Sequence, residues 1–131
     1  MGKIDWMKEL GWTEEQLEDL RYAGYAYIRQ GKYDVALPFF EALVVLNPES
    51  AYDAQTLGAI LLQLDQPGKA AKALDKALKL ETDHAPTLLN FTKALFMLGK
   101  QDEGLKLAHM LKSEPDVRVS NAAWALILAY E

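Results

Sequence analysis

Two histidines, His84 and His109, are the side chains of this sequence best suited to proton transfer, because only histidine ordinarily titrates near neutral pH. Neither histidine has a serine and an acid at triad-like positions, and no His, Asp and Glu combination has metal-ligand spacing on one helical face. The 131 residues include no cysteine, which removes thiolate nucleophiles, thiolate metal sites and disulfides. We therefore expect no enzyme activity, no metal and no other cofactor.

The net charge and the distribution of apolar residues limit the kinds of partner that the chain is expected to bind. A net charge of −5 lacks the basic footprint that binds phosphate backbones, so we do not expect nucleic acid as a partner. No apolar run approaches the roughly 20 residues of a membrane span, and the lack of cysteine suits a reducing compartment, so we expect a cytoplasmic protein with no membrane partner. Four lysines step along one predicted helix as a basic stripe, which we interpret as a solvated outer face rather than a docking strip: Lys69, Lys72, Lys76 and Lys79.

A short turn motif occurs twice in the sequence. The segments "RQGKYDVA" at 29–36 and "MLGKQDEG" at 97–104 place Gly31 and Gly99 68 residues apart, which is twice 34. Glycine enters the left-handed backbone conformation freely, so both residues are predicted to sit in tight turns between helices. The spacing indicates a repeat of 34 residues.

Laid out at this period, the chain alternates large and small residues at helical spacing. Each block is therefore predicted to contain two helices joined by a turn, with the small residues Ala36 and Ala70 buried where helices cross. The second block lacks the turn glycine, and we predict that Pro67 and Gly68 supply its turn two residues later. The blocks cover residues 17–50, 51–84 and 85–118.

Both ends of the chain are predicted to be capping helices. Thr13 and Gln16 have the spacing of a capping box that starts the first repeat helix. Residues 119–131 are predicted to form a C-terminal capping helix, and residues 1–12 a short amphipathic helix. The apolar residues of that first segment exceed what a solvated helix needs, so we predict weak self-association through them into a homodimer; the alternative is that they fold back on the first repeat. They are Ile4, Trp6, Met7 and Trp12.

A helix pair of 34 residues with this pattern resembles the tetratricopeptide repeat (TPR). The resemblance implies an all-α fold in which three helix-turn-helix repeats form a right-handed superhelix, with the two capping helices completing a single domain over residues 1–131. One helix pair cannot bury its own apolar faces, so about three stacked repeats are needed for stability, and three are present. The expected class is a protein-binding module.

The resemblance also implies where a partner binds. In a TPR stack the first helix of each pair lines the concave side, and three tyrosines lie at such positions outside the packing columns. Tyrosine is a favoured interface anchor, so we predict a peptide-binding groove, with an inert scaffold as the alternative. The predicted groove residues are Tyr22, Tyr25, Arg29, Tyr52, Gln55, Thr56, Gln63, Leu89, Asn90, Lys93 and Met97.

The segment "EQLEDLRYAGYAYIRQGKYDVALPFFEALVVLNP", residues 15–48, resembles the opening repeat of the class II chaperones of bacterial type III secretion, a virulence apparatus. This resemblance implies a cytosolic chaperone that holds an extended segment of a hydrophobic translocator, or of another secretion substrate, before export. The alternatives are a TPR scaffold or adaptor in another assembly, and a needle-subunit chaperone of the same system. The clamp that grips the C-terminal carboxylate of heat-shock chaperones is not matched, since Arg21 is the one partly suitable residue.

Overall fold

The computed structural model describes residues 4–131, and within them the chain forms eight helices and no strand. Three helix pairs, α2 with α3, α4 with α5 and α6 with α7, stack in chain order as a right-handed superhelix, with α1 against α3 at one end and α8 against α6 and α7 at the other. The predicted all-α repeat architecture is confirmed. The helices are α1 (Trp6–Leu10), α2 (Glu14–Arg29), α3 (Tyr33–Leu46), α4 (Ala51–Gln63), α5 (Pro67–Leu80), α6 (Ala85–Met97), α7 (Gln101–Leu111) and α8 (Val117–Tyr130).

The turns inside the three pairs keep the 34-residue period. Gly31 and Gly99 are left-handed as predicted, with φ of 73° and 77°. The prediction for the second pair was wrong, because the left-handed residue is Asp65, with φ of 56°, which lies 34 residues from both glycines. Pro67 instead opens α5, where a helix has no need of the missing N–H, and Gly68 follows it inside the helix. Aspartate tolerates this conformation better than most residues.

The start of the first repeat helix follows its local sequence. The hydroxyl of Thr13 accepts a hydrogen bond from the backbone N–H of Gln16, whose side-chain oxygen accepts one from the backbone N–H of Thr13. The predicted capping box is therefore confirmed. Because α2 begins at Glu14, the first helix pair starts before the predicted block, and the repeat boundaries at 17–50, 51–84 and 85–118 remain predictions.

Small residues set how closely the helices approach. Ala36 and Ala70 are fully buried, as predicted. A methyl group on Gly24 would lie 2.8 Å from a ring carbon of Phe40, and one on Gly58 would overlap the side chain of Leu74. These contacts hold the two helices of a pair together and leave the opposite faces of α2, α4 and α6 uncovered.

A buried ion pair joins the first two inner helices. Arg21 on α2 donates two hydrogen bonds to the carboxylate of Asp53 on α4, from Nε to Oδ1 and from Nη2 to Oδ2, both at 2.7 Å. Asp53 is fully buried, whereas Arg21 is partly exposed and also contacts Glu18. Hydrogen bonding to Asp53 raises the pKa of Arg21 further above its ordinary value, against the opposing effect of burial. The guanidinium of Arg21 therefore stays positively charged and is held in place by Asp53.

We predict that Gly58→Ala lowers the free energy of unfolding by about 1–3 kcal/mol, because the added methyl group overpacks the crossing with Leu74. Gly68→Ala is the matched control, since Gly68 also lies in a helix but a methyl group there meets no atom within 4 Å. Alanine is the better helix former, so the control should gain about 0.5–1 kcal/mol. Urea unfolding followed by circular dichroism measures both, and shifts of the same sign would contradict the crossing geometry.

We predict that Arg21→Met destabilises the fold by about 3–5 kcal/mol, because it leaves the carboxylate of Asp53 buried without a partner. The double variant Arg21→Met, Asp53→Leu should recover most of this loss, because replacing a whole buried ion pair by apolar groups is often neutral. Denaturant midpoints of the two variants provide the test. Equal midpoints would show that the pair does not carry the linkage between α2 and α4.

Candidate functional site

A continuous groove runs along the inner helices. Its middle cavity, of about 330 Å³, shares Tyr25 and Tyr52 with a smaller cavity of about 200 Å³ on the side of α2. On the other side it shares Gln63 and Asn90 with a cavity of about 380 Å³ that reaches the end of α6. The three cavities therefore form one concave surface across α2, α4 and α6.

Ten of the eleven predicted groove residues line this surface, and Leu89 does not. Leu89 is 8% exposed and packs against Leu111, Val119 and Ala123, because its side of α6 is covered by α7 and α8. Its assignment to the groove was wrong. The other ten lie in the three cavities, and their binding role remains a prediction: Tyr22, Tyr25, Arg29, Tyr52, Gln55, Thr56, Gln63, Asn90, Lys93 and Met97.

The α2 side of the groove is aromatic and basic. Tyr22 is 71% exposed, and Tyr25 and Tyr52 are also exposed. The guanidinium of Arg29 lies 5.9 Å from the ring centre of Tyr22 and 5.4 Å from that of Tyr25, within the range of cation–π contacts. Partial burial raises the pKa of the Tyr52 phenol, and the neighbouring Tyr25 adds to the effect.

Some polar side chains of the groove already form hydrogen bonds within the protein, and others are available to a ligand. Gln55 donates to Glu81 at 3.3 Å, and the hydroxyl of Thr56 donates to the carbonyl of Tyr52 at 2.8 Å. Within residues 4–131, the side chains of Gln63 and Asn90 form no hydrogen bond. An amide side chain offers both a donor and an acceptor, so these two residues can pair with the backbone of an extended ligand.

Sequence reasoning missed part of the groove. The middle cavity is also lined by Ile28, Tyr33, His84 and Pro86. His84 precedes the first residue of α6 and its Nδ1 lies 2.6 Å from the hydroxyl of Thr87, so it is held at the edge of the cavity. Tyr33 lines the cavity and also packs against the core of the first repeat. Their sequence positions could have indicated this, because all four lie at or next to helix ends: Ile28 near the end of α2, Tyr33 at the start of α3, and His84 and Pro86 around the start of α6.

A second, separate surface contains the residues predicted for self-association. Trp6 and Trp12 line an apolar cavity of about 460 Å³ between α1, α2 and α3, which we call the N-terminal cavity. Ile4 is exposed nearby, whereas Met7 packs against the core of the first repeat. The first segment therefore folds back in part and leaves an apolar surface open; self-association itself remains a prediction. The remaining lining residues are Leu10, Leu20, Ala42, Val45 and Leu46.

Other candidate chemistry finds no support in the described part of the chain. Within residues 4–131, no three His, Asp or Glu side chains are grouped as a metal site requires. None of the eight helices is long and apolar enough to cross a membrane. The four lysines of the basic stripe are exposed on α5, and Lys79 pairs with Asp75 at 3.1 Å. This placement agrees with a solvated outer face.

Solved structures share this fold over most of their length. PcrH of Pseudomonas aeruginosa, in complex with the chaperone-binding region of PopD, superposes with a TM-score of 0.79 at 22% identity, over 92% of this chain and 94% of that one. A type III secretion complex from Aeromonas hydrophila gives 0.81 at 20% identity, over 98% and 89%. The second TPR domain of human RPAP3, bound to an HSP70 peptide, gives 0.77 at 18% identity, over 88% and 95%. These likenesses establish the fold.

Two curated proteins are similar in sequence over about three-fifths of the chain. Human tetratricopeptide repeat protein 21A is 32% identical over 78 residues, and mouse superkiller complex protein 3 is 31% identical over 77 residues. The matched regions span only 6% and 5% of those much longer proteins.

One protein-family model matches residues 29–110, which is more than half of the chain and runs from the last residue of α2 into α7. Its description is anaphase-promoting complex, cyclosome, subunit 3. The chain therefore belongs to this family and is a tetratricopeptide-repeat protein.

Proposed function

We propose that this chain is a non-enzymatic binding module that holds an extended segment of a client protein in the groove of α2, α4 and α6. The observation that carries the proposal is the continuity of the three cavities along inner helices whose tyrosines stay exposed. Tyrosine supplies a large, rigid contact area at low entropic cost, because the side chain has only two torsions to fix. An exposed row of such residues is typical of a recognition surface.

The lining of the groove favours an apolar segment with acidic neighbours. Ile28, Tyr33 and Ile60 give the middle cavity an apolar lining that fits a large side chain. Gln63 and Asn90 can satisfy backbone amides that lose water on binding. Arg29 and Lys93 lie toward opposite ends of the groove and would attract carboxylates on either side of that anchor.

The state of Arg21 favours an internal client segment over a free C-terminus. Arg21 is the one residue of the sequence that partly suits a clamp for a C-terminal carboxylate, and it is already shared by Asp53 and Glu18. A client carboxylate would have to compete with a buried bidentate ion pair. We therefore propose that the groove takes a segment from within the client chain.

The client that we propose is a hydrophobic translocator of a type III secretion system, which a cytosolic chaperone would keep unassembled before export. Support comes from the sequence of the first repeat and from PcrH and the Aeromonas complex, whose structures match along nearly the whole chain. The second candidate is a scaffold or adaptor within another multiprotein assembly. The family and the mouse relative favour it, since both are described as parts of complexes.

We predict that Tyr25→Ala, Tyr52→Ala abolishes client capture while helix content and melting stay nearly unchanged, because both side chains are exposed. One tyrosine anchor should contribute about 2 kcal/mol or more to binding if it is a hot spot. The measurement is capture from native cytosol by the tagged chain, with captured proteins identified by mass spectrometry. Apolar secreted proteins would support the chaperone role, and a set of stable complex subunits would support the scaffold role.

The matched control is Lys72→Ala, Lys76→Ala, which removes two exposed residues from the outer face of α5. This pair should capture the same proteins as the unmodified chain. Loss of capture in the lysine variant, together with full capture in the tyrosine variant, would show that the binding site lies on the outer face and not in the groove.

A further inference from the structure

The charge of Arg29 lies inside the groove although Arg29 is the last residue of α2. Its guanidinium is 5.4 Å from the ring centre of Tyr25 and 5.9 Å from that of Tyr22, which precede it by four and seven residues. Helical side chains point back toward the N-terminus, and residues with these spacings share one face. The side chain of Arg29 therefore runs back along the concave face of α2 and lines the smaller cavity of about 200 Å³.

This charge is held in position but is not neutralised by a neighbouring acid. Within residues 4–131, the guanidinium of Arg29 forms no ion pair. Glu18 also lines the smaller cavity, but it pairs with Arg21, which is held by Asp53 as well. A cation–π contact needs no hydrogen-bond acceptor, so the N–H donors of Arg29 remain available to a carboxylate.

Lys93, at the other end of the groove, is held less firmly than Arg29. Lys93 is exposed, and in the described part of the chain its ammonium group contacts no aromatic ring and no carboxylate. An ammonium is a point charge on a flexible stem, whereas a guanidinium can bind both oxygens of a carboxylate. Because two rings already restrict Arg29, it loses less conformational entropy than Lys93 when it binds a ligand. The two cations therefore differ in the selectivity that they can provide.

We infer that the smaller cavity selects an aspartate or glutamate of the client and that Arg29 determines this selectivity; the inference rests on the function proposed above. Tyr25 and Tyr52 line both the smaller cavity and the middle cavity, so the acid lies next to the apolar anchor of the client. Both client side chains face the groove. On an extended chain, residues two apart share a face and are separated by about 6–7 Å. The acid is therefore expected two residues from the anchor.

The net charge of the protein separates this contact from general electrostatic attraction. At a net charge of −5, the protein as a whole repels acidic segments. General attraction would therefore favour basic peptides, with no dependence on position. Contact with Arg29 favours an acid, and at one position only.

Random peptides displayed on phage and selected on the immobilised chain test the inference. Peptides that bind the unmodified chain should share an apolar residue and an aspartate or glutamate two residues from it. Selection on Arg29→Met should keep the apolar residue and lose the acid, because methionine keeps an unbranched apolar side chain and lacks the charge. Arg29→Gln is a second neutral variant, and circular dichroism verifies that each variant folds.

Affinity measurements show how much the charge contributes. By fluorescence anisotropy, a selected peptide with glutamate should bind the unmodified chain about tenfold more tightly than the same peptide with glutamine, as expected for a hydrogen bond to a charged group. On Arg29→Met the two peptides should bind within about twofold of each other. Lys32→Met is the matched control, since it removes the same charge three residues away, at an exposed position outside the three cavities. This control should keep the preference for glutamate.

The possible failures distinguish this inference from the proposed function. Selected peptides with an apolar residue and no acid would overturn the selectivity and leave the groove assignment intact. A preference for acid that survives in Arg29→Met and disappears in Lys93→Met would place the selectivity at the other end of the groove. Selection of no peptide, or of peptides that bind the Tyr25→Ala, Tyr52→Ala variant equally well, would contradict the groove itself and the inference with it.

Discussion

The architecture depends on helix crossings that admit at most the methyl group of alanine and, at Gly24 and Gly58, no side chain at all. At these crossings Ala36, Ala70 and Gly58 are buried against larger side chains, and the backbones approach closely for that reason. The apolar residues on the crossing faces are buried by packing within and between the helix pairs. The faces of α2, α4 and α6 that point away from the crossings are thereby left open in a row, which is the physical origin of the groove.

The groove combines a rigid base with accessible anchors. The Arg21–Asp53 ion pair ties α2 to α4 at the aromatic side of the surface, where Arg21 lines the smaller cavity. Arg29 also contacts Tyr22 and Tyr25 there through cation–π contacts. Fixed side chains lose little entropy on binding, so such a surface can capture an extended segment that must itself become ordered.

Helical periodicity and the 34-residue repeat were sufficient to predict the helix pairs, the turns at Gly31 and Gly99 and most groove positions. The predictions failed where contacts between distant residues decide the outcome. Leu89 has the periodicity of a groove residue, but α7 and α8 cover it. The partner of Arg21 lies 32 positions away, beyond any local pattern. Asp65 has a left-handed backbone because of its position in the repeat. An aspartate does not by itself indicate this conformation as a glycine does.

Whether a client binds on the concave face can be tested by amide NMR of the labelled chain during titration with a captured client segment. Binding on the concave face predicts shift changes concentrated in α2, α4 and α6, strongest around Tyr25, Tyr52 and Asn90, with little change on the outer faces of α5 and α7. Changes concentrated on α5, around Lys72 and Lys76, with α2 and α4 unaffected, would contradict it.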